Sequence, residues 1–236
     1  MRVRLRKRFK QENFTYLFKK IGYVWKRGRR FIKVQADAEQ IKEAVETIST
    51  FLLFANQGLI DVYFCDESGF SLQPYVPYCY QKKGTQYPIP SSKKKVINVL
   101  GYLNPITNRL ITYKVPDKET MKSEIFIELM NDFAEKIEGP TVLILDNAPW
   151  HKSKLTKSMF SQWQEKGLFI HFLPARCPHL NLIETLWRKI KYEWLKTADF
   201  YSDKTMLKKL NHIFKNYGND FCINFSMNIF KSKFIW

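Results

Sequence analysis

Between Asp37 and Gly58 the apolar residues Ile41, Ala44, Val45, Ile48, Leu52 and Ala55 recur at the spacing of one helix face. This predicts an amphipathic helix opened by Asp37, with Gln40 three residues on in capping-box style, and closed by Gly58. The period then changes. Residues 59–65 form a short apolar run that reads as a strand delivering Asp66 and Glu67 at its end. Residues 96–103 and 109–115 read as two strands joined by the turn residues NPITN, a hairpin. A helix follows with Phe126, Leu129, Met130, Phe133 and Ile137 on one face, stopped by Gly139 and Pro140. Residues 141–145 are an apolar strand ending at Asp146, residues 153–166 are helical, and residues 168–173 make the last strand. Residues 181–196 form a strong helix whose Ile183, Trp187, Ile190 and Trp194 face the core, and a further helix spans about 203–216. Strand, hairpin, helix, strand, helix, strand, helix predicts an α/β domain, a mixed five-stranded sheet flanked by helices.

Three acids fall at the ends of these elements: Asp66, Asp146 and Glu184. Each has a structural explanation. Asn181 and Glu184 have the spacing of a helix-capping pair, and Asp146 with Asn147, Ala148 and Pro149 can be a plain turn. If instead the three carboxylates converge, their repulsion demands cations, and an all-oxygen site recruits hard divalent ions. Two such ions can activate a water or a 3′-hydroxyl and stabilise the leaving oxygen of a phosphodiester. His151, five residues past Asp146, is either a phosphate contact or a turn-stabilising hydrogen-bond partner. Arg188 and Lys191, four and seven residues past Glu184, either hold phosphates or pair with that acid. The four histidines form no HExxH, and the sequence holds no glycine-rich phosphate loop and no GxSxG, which argues against a nucleotide-triphosphate motor and a serine hydrolase.

Charge sharpens the choice. The chain has 39 Lys plus Arg against 22 Asp plus Glu, a net +17, and residues 1–35 carry thirteen of the cations and one acid, Glu12. A polyanionic partner follows, because neutralising phosphates releases counterions. Arg27, Arg29 and Arg30 form a basic arm behind a short helix predicted over 14–21 and stopped by Gly22. Lys93, Lys94 and Lys95 close a connection that also carries Tyr75, Tyr78 and Tyr80, either a DNA-touching surface or a plain surface hairpin. Cys65, Cys79, Cys177 and Cys222 show no CxxC pairing and read as reduced thiols. No apolar run approaches 18 residues, so no membrane partner is expected, and the expected location is the cytoplasm, in association with the nucleoid.

DESGF at 66–70, LDNAPWHKS at 145–153 and LPARCPHLNLIETLWRKIK at 173–191 together resemble the three catalytic blocks of DDE-type transposases of the mariner superfamily, in particular its bacterial insertion-sequence (IS six-thirty) group. The resemblance covers about residues 14–215. It implies an RNase H-like fold and metal-binding, catalytic roles for Asp66, Asp146 and Glu184. It implies Mg²⁺ as cofactor, with Mn²⁺ able to substitute and two ions in the site. It also implies a homodimer or higher multimer on transposon ends and target DNA, and DNA cleavage with strand transfer. His179 and Leu182 stand where the family usually has an acid and a proline. The front of the chain is shorter than the family's helix-turn-helix region. The expected organisation is a helix-turn-helix remnant with a basic arm (1–35), a catalytic domain (36–215) and a tail (216–236). A DNA-binding remnant without catalysis and an RNase H-like nuclease are the alternatives.

Overall fold

The computed structural model describes residues 16, 20–22, 37–73, 96–116 and 119–225. The chain divides into two compact units, Met1–Gln35 and Ala36–Trp236. In the first, Tyr16 and Lys20 are helical and Gly22 turns at φ +80°, where a glycine is favoured.

The second unit is built on one sheet. Its strands are β1 (Asp61–Ser71), β2 (Val96–Asn104), β3 (Arg109–Lys114), β4 (Thr141–Leu145) and β5 (Leu168–Phe172), in the spatial order β3-β2-β1-β4-β5. β2 pairs antiparallel with both β1 and β3, while β4 runs parallel to β1 and β5, so the sheet is mixed as expected. The helices are α1 (Ala38–Asn56), α2 (Ser123–Ala134), α3 (Lys154–Ser158), α4 (Phe160–Glu165), α5 (Ile183–Lys189) and α6 (Asp203–Lys215). Among the described residues no helix is long and apolar enough to cross a membrane.

The alternation of side chains along β1 assigns two cores to two faces. Val62, Phe64 and Phe70 enter a core shared with α1, α5 and α6, through Ile48, Leu186 and Leu210 among others. Tyr63 and Cys65 enter the opposite core with Phe126, Phe133 and Trp163 of α2 and α4. α1 starts where its cap predicts, though Asp37 accepts from the Glu39 N–H (3.1 Å) and no Gln40 box forms. The helix expected over 153–166 is two short ones that part at Met159. The core also runs past the expected boundary at 215: Tyr217 is buried, and Phe221, Ile223 and Phe225 pack against it.

One expectation needs correction with consequences for the site. β1 does not end at Cys65. Ser68 and Phe70 continue the buried pattern, and pairing with β2 persists to Ser71 opposite Val96. Asp66 therefore sits mid-strand.

Candidate active site

β1 and β4 are registered from Asp61 opposite Thr141 to Phe64 opposite Ile144. Carried two residues further, this parallel register brings Asp66 abreast of Asp146, the first residue after β4. Alternation puts both on the face of Val62, Phe64, Val142 and Ile144, which is the face that α5 covers. β4 stops at Leu145 while β1 continues, so the sheet opens beside Asp66. Glu67, one residue on, belongs by the same alternation to the opposite face.

The third acid comes on α5, whose Ile183, Leu186 and Trp187 are buried against the sheet. How near the helix lies depends on Gly101, the β2 residue directly opposite Asp66. A Cβ on Gly101 would stand 2.6 Å from Cη2 of Trp187 and 3.0 Å from Cδ1 of Ile183. The bare Cα is what lets the indole come this close to the strand. A glycine inside an alternating strand pattern is the sequence signal of such close approach.

Asn181 also differs from expectation. It does not cap α5 with its side chain: the cap position is Leu182, and no side-chain cap bond is made. The Asn181 carbonyl accepts the Glu184 N–H (3.2 Å), but its Nδ2 donates across the fold to the Cys65 carbonyl at 3.0 Å. Nothing in local spacing signals that partner, 116 positions away in sequence.

The electrostatics fit a shared site. Burial, then the charges of Glu184 and Asp146, push the Asp66 carboxyl up to about 8. Glu184 is raised by burial, with Lys191 opposing and Asp146 adding to the rise. Burial also works against ionisation of Asp146, but hydrogen bonds from His151 and the Ala148 N–H outweigh it and hold this acid below its ordinary value. The donor distances are 2.8 Å from His151 Nδ1 and 3.0 Å from Ala148 N, both to Oδ1. His151 is 3% exposed and packs against Phe126, with ring centroids 4.4 Å apart. Of its two expected roles, the hydrogen bond is the contact seen. The Asn147 side chain donates to the Leu173 carbonyl, tying the end of β4 to the end of β5.

Of the expected cations, Arg188 is exposed and Lys191 is half-buried, its ammonium 5.3 Å above the Phe70 ring. Burial lowers the Lys191 pKa against the opposing pull of Glu184 and Asp66. The helix expected to run to Lys196 changes at Ile190 to a π turn, Ile190–Trp194, in which the Leu195 N–H donates to the Ile190 carbonyl at 3.0 Å. Arg27, Arg29, Arg30, Lys93, Lys94 and Lys95 lie outside the described residues, as do Tyr75, Tyr78 and Tyr80.

Two open clefts flank the loop between β5 and α5 and share Pro178 as a wall. One, of about 360 Å³, holds Asp146, Asn147 and Arg176, the last with its backbone at φ +63°. The other, of about 560 Å³, holds Glu184, Arg188 and Lys191. Divalent ions match the donor chemistry here, three carboxylates of which Asp66 is raised by burial and by the charges of Glu184 and Asp146, and Glu184 by burial and by the charge of Asp146. As the side chains stand, however, no three His, Cys, Asp or Glu among the described residues are gathered closely enough to ligate one ion.

Comparison with known proteins bears on the same region. The profile of the DDE superfamily endonuclease family matches residues 61–207. The uncharacterised protein y4pE/y4sA of Sinorhizobium fredii is 32% identical over 78 residues, which cover 33% of this chain and 43% of that protein. The Mos1 transposase paired-end complex with left transposon end is similar over 89% of this chain and 65% of its own, with a TM-score of 0.60 and 15% identity. The Mos1 mariner paired-end complex with Mn covers the same shares at a TM-score of 0.57 and 16% identity. The chain thus spans less than two thirds of each of these relatives. At such identities the likeness to Mos1 is one of fold: the mixed sheet in the order β3-β2-β1-β4-β5, flanked by helices, is RNase H-like, as in the Mos1 catalytic domain.

Proposed function

This chain belongs to the DDE superfamily endonuclease family, and we propose that it is the catalytic part of an insertion-sequence transposase that cleaves DNA at transposon ends and joins the freed 3′-hydroxyls to target DNA. The observation that carries this reading is the electrostatic coupling of the three acids: burial first, then the charges of Glu184 and Asp146, raises Asp66 to about 8. The three sequence blocks around these acids support the bacterial IS six-thirty branch as the source.

Asp66, Asp146 and Glu184 would hold Mg²⁺ or Mn²⁺, two ions in the proposed working state. Bound there, such ions supply Lewis-acid stabilisation of phosphodiester oxygens and activation of the attacking hydroxyl. The chain's own groups have separate tasks. His151 fixes the Asp146 carboxylate through Nδ1. Arg188 and Lys191, in the wall of the cleft beside Glu184, offer cations to the DNA backbone. The basic first 35 residues add phosphate affinity, and by likeness to the paired-end complexes of Mos1 the active form is a multimer on DNA.

A second reading, a DNA-binding remnant without catalysis, is favoured by the absence of a gathered three-ligand set among the described residues. Nicking of supercoiled plasmid separates the two without knowledge of the correct ends. The transposase reading expects nicking in Mg²⁺ or Mn²⁺ and none in EDTA, with Asp146→Ala losing cleavage but keeping DNA binding. Equal nicking by Asp146→Ala would sink the mechanism, and DNA binding without any nicking would favour the remnant.

A further inference from the structure

We propose that Asn181 is a positioning residue of the acidic site, setting the spacing between Asp66 and Glu184 and thereby the affinity for divalent cations. The inference rests on the reading of those acids as metal ligands and adds to it a residue that acts through the backbone of the elements carrying them.

Three observations carry it. First, Asn181 bonds to the backbone of both acids' elements. Its Nδ2 donates to the Cys65 carbonyl at 3.0 Å, and its own carbonyl accepts the Glu184 N–H at 3.2 Å. The Cys65 carbonyl belongs to the planar peptide unit whose nitrogen is that of Asp66, so holding the oxygen holds the plane from which the Asp66 Cα departs. Second, the bond falls where β1 needs it. Past Phe64 no β4 residue is registered with β1, and Asn181 supplies a donor at the open edge. Third, the side chain is 3% exposed, and its Oδ1 finds no hydrogen-bond partner among the described residues. A residue needed merely to start the helix could turn outward and cap it; this one is spent across the fold at the cost of a buried acceptor. Outer-shell groups that orient ligands typically change metal affinity by about 10–100-fold when removed.

The test must separate positioning from stability, since any buried asparagine costs stability when lost. Asn104 provides the control. It is 1% exposed and ties β2 to Asp61 (2.8 Å) at the end of β1 before Asp66, with its Oδ1 accepting from the Ile106 and Thr107 N–H groups. Mn²⁺ binding to the full chain is titrated by the electron paramagnetic resonance of free Mn²⁺, and the site is defined as the binding that Asp66→Asn removes. Melting temperatures are taken in EDTA. Asn181→Ala is expected to bind Mn²⁺ about 10–100-fold more weakly than the parent chain, while Asn104→Ala loses comparable stability and keeps the parent affinity. If Asn181→Ala does not fold, Asn181→Ser is read against the same control. Parent-like Mn²⁺ affinity in the Asn181 variant, or equal weakening in Asn104→Ala, overturns the positioning role. A parent chain that binds no Mn²⁺ at Asp66 overturns the metal reading, and this inference with it.

Discussion

Asp66 concentrates the electrostatic conflict of the site, and that conflict has a sign that can be measured. Unfolded, its carboxyl titrates near the ordinary 3.8; folded and without metal, near 8. The folded state therefore holds a proton that the unfolded chain has released, throughout the window between those values. Stability of the metal-free protein must fall as pH rises from about 4 to about 8, with the loss complete above the folded value. Glu184 is also raised and adds in the same direction. Asp146 is held low by His151, so its contribution is lost only as pH falls into the acid range, outside this window. Thermal melts in EDTA from about pH 5 to about pH 9 should show the fall. Saturating Mn²⁺ should remove most of it, and Asp66→Asn should flatten it. A flat profile in the parent chain would mean that Asp66 is not raised on folding, either by burial or by the charges of Glu184 and Asp146.

At the scale of elements the site depends on how closely α5 lies on the sheet, and Gly101 is the residue that controls this. Gly101→Ala would drive a methyl into the Trp187 ring at 2.6–2.7 Å, and the indole is fully buried with nowhere to turn. Overpacking of this kind costs about 1–3 kcal/mol. It should also lift Glu184 away from Asp66, so plasmid nicking should fall far more than DNA binding, with both measured on the folded variant. Cleavage at the parent rate would show that α5 has slack. The same elements explain what could be read from the sequence. Thr141–Leu145 was legible to the residue because a buried parallel strand is uniformly apolar and is cut off by Pro140 and Asp146. The length of β1 was not, since Asp66, Glu67 and Gly69 look like a strand end, and pairing with β2 alone carries the strand through them. The three acids stand out together in the sequence because each adjoins a strongly patterned element. The Asn181 bond to Cys65 and the burial of His151 were not, because both depend on tertiary neighbours that local spacing does not encode. The α-to-π change at Ile190 has the same cause: the helical pattern continues through it.

On the proposed reading, the whole molecule separates chemistry from DNA affinity along its length. Of the net charge of +17, residues 1–35 hold +12, which leaves +5 for the unit from Ala36 onward. Both hydrophobic cores and all three acids belong to that second unit. A chain of residues 36–236 should therefore fold, melt close to the full-length protein and keep metal-dependent nicking at high DNA concentration. What it should lose is electrostatic reach. For duplex DNA the logarithm of affinity falls against the logarithm of salt with a slope of about −0.9 per neutralised phosphate. If the basic segment supplies several such contacts, the truncated chain should bind more weakly at low salt and with a slope shallower by several units. The two affinities should then converge as salt rises. Fluorescence anisotropy on a short duplex across a salt series measures both slopes. Equal slopes would mean that residues 1–35 do not engage the phosphates, and that the exposed cations of the second unit, with Arg188 among them, provide the DNA contact alone.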